Sequence, residues 1–360
     1  MLDPALKEEL LKAVQSKTGG VELSAIYHKK LLEKFSKLPH TEKALKDNPC
    51  ILFAVGSVGR MEGVYGSDLE VGLFCKNPVS EETQKSIHKS IELDVPGMIW
   101  DHEFTIPDNI FSSLTFETDL PRIFPSKLLK LLDATPIAYI NCNEDIFSFQ
   151  EFRTVFLKYI LLPNQLKSLL KSTKSALKGD FVSIESVIEE NVIDQGTQEQ
   201  SSAQQFVNLD PPTQKEILFR NPTPDTDLRN PLLYQFDLKE SFYRPLSTSI
   251  MALYLKLCAQ DPTQCTPLSW RTSSQERLQC ILDSSDHSIM TPDSRNVMDT
   301  FLALRMGART QSEQNRLTES DFSNHLFFGS IPEEDVFKLF STILKLRENQ
   351  PEIFKSASPQ

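Results

Sequence analysis

The most constraining feature of this sequence is the glycine-rich stretch VGSVGRMEGVYGSDLEVGLF at residues 55–74. A short apolar run, CILFAV at residues 50–55, leads into it and stops at a glycine, which is typical of a buried strand. Residues 56–66 then predict a turn, and the alternating residues 67–75 predict a second strand. The stretch therefore predicts two strands joined by a turn whose backbone a ligand can approach closely.

Two acidic residues of the second strand, Asp68 and Glu70, are two positions apart and therefore share one face. Carboxylates at this spacing can share a divalent cation, and Mg²⁺ prefers oxygen ligands, including those of substrate phosphates. Gly56 and Ser57 add backbone N–H groups and a hydroxyl for a phosphate, and Arg60 adds a planar guanidinium. Together these residues predict a site that binds a nucleoside triphosphate with magnesium and aligns its α-phosphate for in-line attack.

A third carboxylate is expected on the next alternating segment, residues 98–106. Asp101 and Glu103 share one face of this predicted strand, and the residues between and around them share the other. If this strand neighbours the one that carries Asp68 and Glu70, the acids face the same cleft. The residues themselves leave open whether Asp101 or Glu103 completes the site.

The hydrophobic pattern divides the chain into parts. Residues 1–47 predict a helical lead, and residues 48–148 predict a domain of strands and helices. Residues 149–350 are mostly helical in pattern, with an acidic, polar loop near 191–230 that we expect to be mobile, and residues 351–360 form a polar tail. The predicted fold class is α+β, with a small mixed-sheet domain followed by an all-helical domain.

The charge of the chain bears on its partners. The sequence has 49 acidic and 38 basic residues, a formal net charge of −11. This argues against a surface that follows nucleic-acid phosphates, because such surfaces rest on clustered lysine and arginine. A local basic pocket within an acidic protein stays compatible with it. We therefore expect a partner other than nucleic acid, and the oligomeric state is left open.

Cysteine usage and hydropathy bear on the compartment. The six cysteines are widely spread, form no C-x-x-C motif, and in several cases lie in apolar runs where free thiols behave as small hydrophobes. The N-terminus lacks the pattern of a signal peptide, and no stretch approaches the ~18 apolar residues of a membrane span. These features predict a cytoplasmic protein in a reducing compartment, with no membrane partner.

The turn and its acids match a known pattern. They resemble the nucleotidyltransferase superfamily of DNA polymerase beta type, whose signature is Gly-Ser, a spacer and Asp-x-(Asp/Glu). The fuller pattern GSxGRxExxxxSDxE at residues 56–70 is most similar to a bacterial nucleotidyltransferase family with a helical substrate-binding domain, related to PII uridylyltransferase and glutamine synthetase adenylyltransferase. By this resemblance the nucleotide-binding residues are Gly56, Ser57, Gly59, Arg60 and Ser67.

Shorter matches to that bacterial family follow in the same order along the chain. They are LLDATPI at residues 131–137, the segments DLK and RPL between residues 237 and 246, and QERL at residues 275–278. Four cations in the later part of the chain either reach the triphosphate or organise the helical domain, and both readings stay open. These cations are Lys239, Arg244, Arg305 and Arg309.

The resemblance implies transfer of a nucleoside monophosphate from ATP or UTP to a hydroxyl, with Mg²⁺ as cofactor. Asp68, Glu70 and Asp101 are the metal ligands in this reading, and the third acid also acts as general base. Asp101 is preferred over Glu103 because Trp100-Asp101 is similar to the Trp-Asp of the PII-modifying relatives. Those two regulatory transferases imply a protein as acceptor.

One departure from the superfamily pattern leaves alternatives open. Glu70 stands where aspartate is more common, and its extra methylene shifts the geometry of a metal ligand. The chain is then either an active transferase or a catalytically weak or inactive nucleotide-sensing or protein-interaction module. A small-molecule or antitoxin-type nucleotidyltransferase is a further alternative, because those enzymes also pair this fold with a helical bundle.

Overall fold

The structure is a computed structural model of the chain. Of the predicted segments, residues 355–360 of the tail and most of the acidic loop near 191–230 lie outside the residues that it describes. The described residues are 4–96, 100–107, 128–143, 148–192, 209–210, 212–213, 238–261, 263, 266, 270–284, 289–312 and 333–354.

A four-stranded sheet forms the core of the N-terminal part. In chain order its strands are β1 (Cys50–Ala54), β2 (Leu69–Cys75), β3 (Trp100–Pro107) and β4 (Thr135–Ile140). Their order in the sheet is β3-β2-β1-β4, with β1 antiparallel to β2 and β4, and β3 parallel to β2. A mixed sheet within a largely helical chain is consistent with the predicted α+β class. The predicted domain boundaries remain predictions.

Helices make up most of the other described residues, and a short π-helix, Leu238–Tyr243, runs directly into one of them. The α-helices are α1 (Pro4–Gln15), α2 (Gly20–Phe35), α3 (Pro39–Leu45), α4 (Gly56–Gly59), α5 (Glu81–Asp94), α6 (Leu128–Leu131), α7 (Phe149–Ile160), α8 (Pro163–Val192), α9 (Arg244–Gln260), α10 (Ser274–Asp283), α11 (Asp293–Ser312), α12 (Glu333–Glu348) and α13 (Gln350–Ile353).

Both faces of the two inner strands are buried. Leu69 and Val71 of β2 belong to a hydrophobic core that includes residues of α2, α3 and α5. Phe74 of β2 and Phe53 of β1 belong to a second core, which the later helices α7 to α12 complete. The predicted alternation of β2 is therefore confirmed. Because alternate residues share a face, Glu70 belongs to the side of the sheet that the later helices cover.

The first two helices pack against α11, which is remote in sequence. A Cβ on Gly20 would lie 2.0 Å from the carbonyl oxygen of Asp299, so only glycine permits this close approach of α2 to α11. Tyr27 of α2, Met306 of α11 and Val64 of the turn belong to one hydrophobic cluster. The helical lead thereby brings α11 against the loop that precedes β2.

Two elements differ from the predicted pattern. The sequence pattern after residue 121 predicts mostly helices, but residues 135–140 form β4, an edge strand whose Pro136 lies at a register shift opposite β1, as prolines in sheets usually do. The same pattern predicts two helices at residues 165–178 and 181–190, and the structure has one continuous helix there, α8. Gly179 lies between the two predicted segments, but an interior glycine costs only about 1 kcal/mol relative to alanine, which tertiary packing readily offsets.

The expectation that the cysteines are free thiols is confirmed in part. Cys50, Cys75, Cys142 and Cys280 are free. Cys258, by contrast, is disulfide-bonded, which corrects the expectation at this position. Within the described residues no helix combines the length and the apolar character that crossing a membrane requires. The cytoplasmic compartment remains a prediction.

Candidate active site

A cavity of about 410 Å³ lies where the glycine-rich turn meets the later helices. Most of the residues predicted for the site line it. From the turn and β2 these are Gly56, Ser57, Arg60, Ser67, Asp68 and Glu70. The later elements contribute Lys130, Asp133, Lys239, Tyr243, Arg244, Arg277, Arg305 and Arg309.

The turn is tighter than a glycine-rich loop, because residues 56–59 form a single helical turn, α4. Gly56 has a φ of +63°, a conformation that favours glycine. A Cβ at this position would also lie 2.5 Å from Oε2 of Glu70. Two independent constraints therefore require glycine here, and the second shows that the turn and the Glu70 carboxylate are in close contact.

Asp68 and Glu70 have different surroundings. Asp68 is exposed, just before β2 begins. Glu70 accepts a hydrogen bond from Nζ of Lys130, at the end of α6, at 2.8 Å, and the two side chains are 31% and 36% exposed. The Asp68 carboxylate is thus open to the cavity, whereas the Glu70 carboxylate is already paired with a lysine of the chain.

The register of β3 positions the backbones of the two candidates for a third carboxylate, Asp101 and Glu103. Asp101 pairs with Glu70, and the register between β2 and β3 shifts so that Val71 pairs with His102 and Gly72 with Phe104. Glu103 is the residue passed over at this irregularity. The backbone therefore sets Asp101 beside the Asp68–Glu70 strand and interrupts the simple alternation that was expected to put Asp101 and Glu103 on one face. Their side chains lie outside the described part of the structure.

Two of the predicted nucleotide-binding residues have structural contacts. The Ser67 hydroxyl oxygen accepts a hydrogen bond from the backbone N–H of Val64 at 3.0 Å, which closes the loop before β2. Gly59 packs away from the cavity lining, where a Cβ would lie 2.4 Å from the carbonyl oxygen of Asp133. Gly59 thus permits close packing beneath the turn, and the geometry does not support the predicted nucleotide contact for it.

Arg60 lies in a buried set of polar residues that links the turn to the later helices. We call Arg60, Glu62, Asp133, Tyr243 and Arg277 the Arg60 cluster. Arg60 Nε donates to Glu62 at 3.0 Å, its Nη2 donates to the Tyr243 hydroxyl at 2.9 Å, and its Nη1 donates to Asp133. Arg277 Nη1 donates to the other oxygen of Asp133 at 2.8 Å. Two arginines and two carboxylates therefore neutralise one another.

Glu62 is the most fully bonded carboxylate of the Arg60 cluster. Its side chain accepts hydrogen bonds from Arg60, from the Tyr243 hydroxyl, and from both the backbone N–H and the hydroxyl of Ser274. Only 2% of Glu62 is exposed, and buried charges persist in proteins when they are paired and bonded in this way. Glu62 therefore ties the signature turn to the first turn of α10.

The predicted contact of Arg60 with phosphate has to be compatible with the hydrogen bonds that Arg60 makes within the Arg60 cluster. Burial by itself would lower the pKa of the Arg60 guanidinium, but Tyr243, Asp133 and Glu62 outweigh burial and hold the pKa above its usual value. Its orientation is fixed by three partners, and it still lines the cavity. A preorganised cation of this kind costs little to bring to a ligand.

The cavity is strongly basic although the protein is acidic. Seven lysines and arginines and three carboxylates are among its lining residues, which gives a formal charge of +4, against −11 for the whole chain. The local basic pocket that the sequence left possible is therefore present. Such a concentration of cations around a turn rich in backbone N–H groups favours a polyanionic ligand.

The predicted magnesium site is only partly assembled from described side chains. Asp68 and Glu70 line one cavity and offer oxygen ligands, which is the donor type that Mg²⁺ prefers. Within the described residues no group of three or more histidine, cysteine or acidic side chains is placed to hold a metal ion. Two carboxylates completed by phosphate oxygens nevertheless fit the usual binding of Mg²⁺ at nucleotide sites.

Sequence reasoning missed Lys130, Asp133 and Tyr243 as residues of the cavity. Asp133 carried a usable signal, since it lies between Leu131–Leu132 and Ala134, and a carboxylate inside an apolar run is almost never buried without a partner. Lys130 and Tyr243 carried none, because each reaches the cavity from a distant part of the chain through tertiary packing.

Comparison with known proteins bears on the first quarter of the chain. The family model described as "Putative nucleotidyltransferase DUF294" matches residues 5–93, which contain α1 to α5, β1 and β2 and therefore the whole signature turn. No curated protein matches the chain. The match supports a nucleotidyltransferase-like family and a transferase activity. The resemblance to the PII-modifying and glutamine synthetase-modifying enzymes remains a prediction.

Proposed function

We propose that the protein transfers a nucleoside monophosphate from ATP or UTP to a hydroxyl, on a protein acceptor, with magnesium as cofactor. One observation carries this proposal: the carboxylates Asp68 and Glu70 and the Gly56–Ser57 turn share a single cavity with seven cationic side chains. Carboxylates suit a metal, and the cations suit a phosphate chain, so that the two halves of a metal–nucleotide substrate each have a complement.

Each residue has a role in the proposed reaction. The acceptor oxygen attacks the α-phosphorus, the bond to the bridging oxygen breaks, and pyrophosphate leaves. The Gly56–Ser57 turn and Arg60 hold phosphate oxygens, and Asp68 and Glu70 would hold Mg²⁺, which when bound neutralises phosphate charge. Asp101 is the proposed general base for the proton of the acceptor hydroxyl, because its backbone pairs with Glu70.

The decisive experiment incubates the purified protein with each α-³²P-labelled triphosphate, magnesium and a cell lysate. We expect label from ATP or UTP in a protein band, and loss of labelling in Asp68→Ala. Glu22→Gln, which changes an exposed acidic residue of α2, is the matched control and should label as the wild type does. Label in a small molecule instead would redirect the proposal to a small-molecule acceptor.

The third acid is tested separately. Asp101→Ala is expected to abolish labelling, whereas Glu103→Ala is expected to retain most of it. Loss of labelling in the Glu103 variant alone would reverse this assignment. Full labelling in both variants would show that neither residue is the base.

A second candidate function is a nucleotide-sensing or interaction module with weak or no catalysis. The ion pair between Lys130 and Glu70 favours it, because a lysine then occupies a carboxylate that catalysis needs for the metal. Triphosphate binding by calorimetry without labelled product from any of the four nucleotides would support this candidate over the transferase.

A further inference from the structure

Arg305 of α11 is a buried cation that the described residues of the chain do not neutralise. Its side chain is 2% exposed and lines the cavity. Among the residues that the structure describes, no hydrogen-bond acceptor lies within reach of its Nε or Nη1, and no ion pair includes it. A buried charge without a partner is costly, so its presence calls for a compensating group.

The neighbours of Arg305 increase this cost. Its guanidinium lies 4.3 Å from the centre of the Tyr243 ring, a favourable cation–π contact. Burial lowers the pKa of Arg305, and the positive charges of Arg309 and Arg60 lower it further. Tyr243 and the more weakly acting Glu62 attract the guanidinium, but Glu62 is already bonded to other groups, while two like charges repel.

The nearby carboxylates are already engaged. Glu62 accepts from Arg60, Tyr243 and Ser274, and Asp133 accepts from Arg60 and Arg277. The Arg60 cluster is thus neutral without Arg305. No described carboxylate near Arg305 is left to supply the missing negative charge, and a guanidinium is suited to phosphate because its N–H groups match two phosphate oxygens at once.

We propose that Arg305 is a dedicated anion-binding residue whose counter-charge is supplied by a phosphate chain bound in the cavity. The inference rests on the proposed function, since the cavity is the same. It adds a consequence that the function does not require. The free protein is less stable with arginine at this position than with an apolar side chain of similar length, whereas the ligand-bound protein is more stable with arginine.

Binding of the phosphate chain is measured by calorimetry with inorganic tripolyphosphate, ATP and adenosine, without metal. We expect the wild type to bind tripolyphosphate and ATP, and Arg305→Met to bind both about tenfold more weakly or worse, the usual scale for a lost charge-assisted hydrogen bond. Arg295→Met, an exposed position on the same helix, should bind as the wild type does. Adenosine binding should not depend on Arg305.

Stability provides the independent readout. Thermal unfolding of the free Arg305→Met protein should occur at a higher temperature than in the wild type, an unchanged temperature counting against the inference, and tripolyphosphate should raise the melting temperature of the wild type more than that of the variant. Arg305→Lys keeps the charge and should show no gain. A variant that melts lower or does not fold would overturn the inference, because Arg305 would then stabilise the free protein.

The wild type alone also tests the inference, since failure to bind tripolyphosphate while binding ATP and adenosine would overturn it. The two proposals fail separately. Tripolyphosphate binding that depends on Arg305, without nucleotide transfer, contradicts only the proposed function. Transfer that persists with unchanged tripolyphosphate affinity in Arg305→Met contradicts only the anion-binding role.

Discussion

Two groups of charged residues lie at the same cavity and are built in opposite ways. In the Arg60 cluster, the side chains of Arg60, Glu62, Asp133 and Arg277 are between 1% and 14% exposed, and each charge has an opposite charge within hydrogen-bonding distance. Asp68 and the Glu70–Lys130 pair, which we call the open group, are exposed or partly exposed, and one ion pair is present. The first group is complete without a ligand, and the second is not.

The difference indicates which charged residues stabilise the fold and which remain available to bind a substrate. Breaking a buried pair leaves an uncompensated charge and costs about 3–5 kcal/mol, whereas an exposed pair contributes at most about 1 kcal/mol. Charges that the chain neutralises internally therefore set the position of the turn relative to the later helices. Charges that it leaves accessible can change partners when a ligand binds, at little cost to the fold.

The largest predicted effect is on the Arg60 cluster. Asp133→Asn should lower the free energy of unfolding by about 3–5 kcal/mol, because Arg277 then loses the carboxylate that it contacts and Arg60 keeps only Glu62. Urea denaturation followed by circular dichroism measures the change. Asp47→Asn, at an exposed position, should change stability by no more than a few tenths of a kcal/mol.

A small loss in Asp133→Asn would contradict the distinction drawn between the two groups. If the variant lost less than about 1 kcal/mol, the buried pairs would behave as exposed ones do. The ion pairs of the Arg60 cluster would then not be what holds the turn against α10.

The next effect concerns the contact between the turn and the open group. Gly56→Ala should cost about 1–3 kcal/mol, since its φ of +63° strains any other residue and the new methyl would lie 2.5 Å from Glu70 Oε2. Nucleotide transfer should fall with it as Glu70 is displaced. The control is Gly179→Ala in the interior of α8, where nothing lies within 4 Å of the added Cβ, and which should stabilise by up to about 1 kcal/mol. Equal effects at the two glycines would contradict a specific contact at Gly56.

Local signals in the sequence were sufficient for much of the N-terminal half. The apolar run at residues 50–55 and the alternation at 67–75 predicted β1 and β2 because each strand buries side chains with a period of two. Ser80 precedes α5 and accepts a hydrogen bond from the backbone N–H of Thr83 at 3.2 Å, as a serine at a helix N-cap does. Such features depend on a few adjacent residues and therefore survive in any tertiary context.

What could not be predicted depends on residues far apart in the chain. β4 was missed because an edge strand with a proline lacks a clear period. The hydrogen bonds from Arg60 to Asp133 and Tyr243, and from Arg277 to Asp133, join segments separated by 73 residues or more. Arginine in a glycine-rich turn predicts a phosphate contact equally well whether or not buried carboxylates surround it, so the sequence could not separate a positioned cation from a free one.

A smaller effect is expected at the ion pair of the open group. Lys130→Met should change the free energy of unfolding by less than about 1 kcal/mol, since both partners are about a third exposed. It should raise the affinity of the nucleotide-free protein for Mn²⁺, measured by electron paramagnetic resonance, by up to about fivefold, because the ammonium no longer competes for Glu70. Lys29→Met, at an exposed position of α2, should leave the Mn²⁺ affinity and the free energy of unfolding unchanged. Unchanged Mn²⁺ affinity would mean that Glu70 is not a metal ligand.

The smallest effect concerns a buried polar group that belongs to neither set. His28 of α2 is 2% exposed, and among the described residues its Nδ1 has no hydrogen-bond partner. Burial lowers the pKa of His28 below its ordinary value of 6.5. The unfolded chain therefore takes up a proton as the pH falls below about 6.5, while the folded protein does not until its own lower pKa is reached.

Stability should consequently decline through that pH window and level off below it, by about 1.4 kcal/mol for each unit by which the pKa is lowered. Urea denaturation at pH 7.5 and pH 5.5 measures the difference, which His28→Gln should reduce and His40→Gln, at an exposed position, should leave unchanged. If His28→Gln kept the full acid sensitivity, the loss of stability would arise from other titratable groups. The carboxylates of the Arg60 cluster, which has no histidine, would be the leading candidates. If the acid sensitivity instead depends on His28, it arises from a buried neutral group that destabilises the fold when it gains charge. The buried paired charges of the Arg60 cluster differ, because they destabilise the fold when they lose charge.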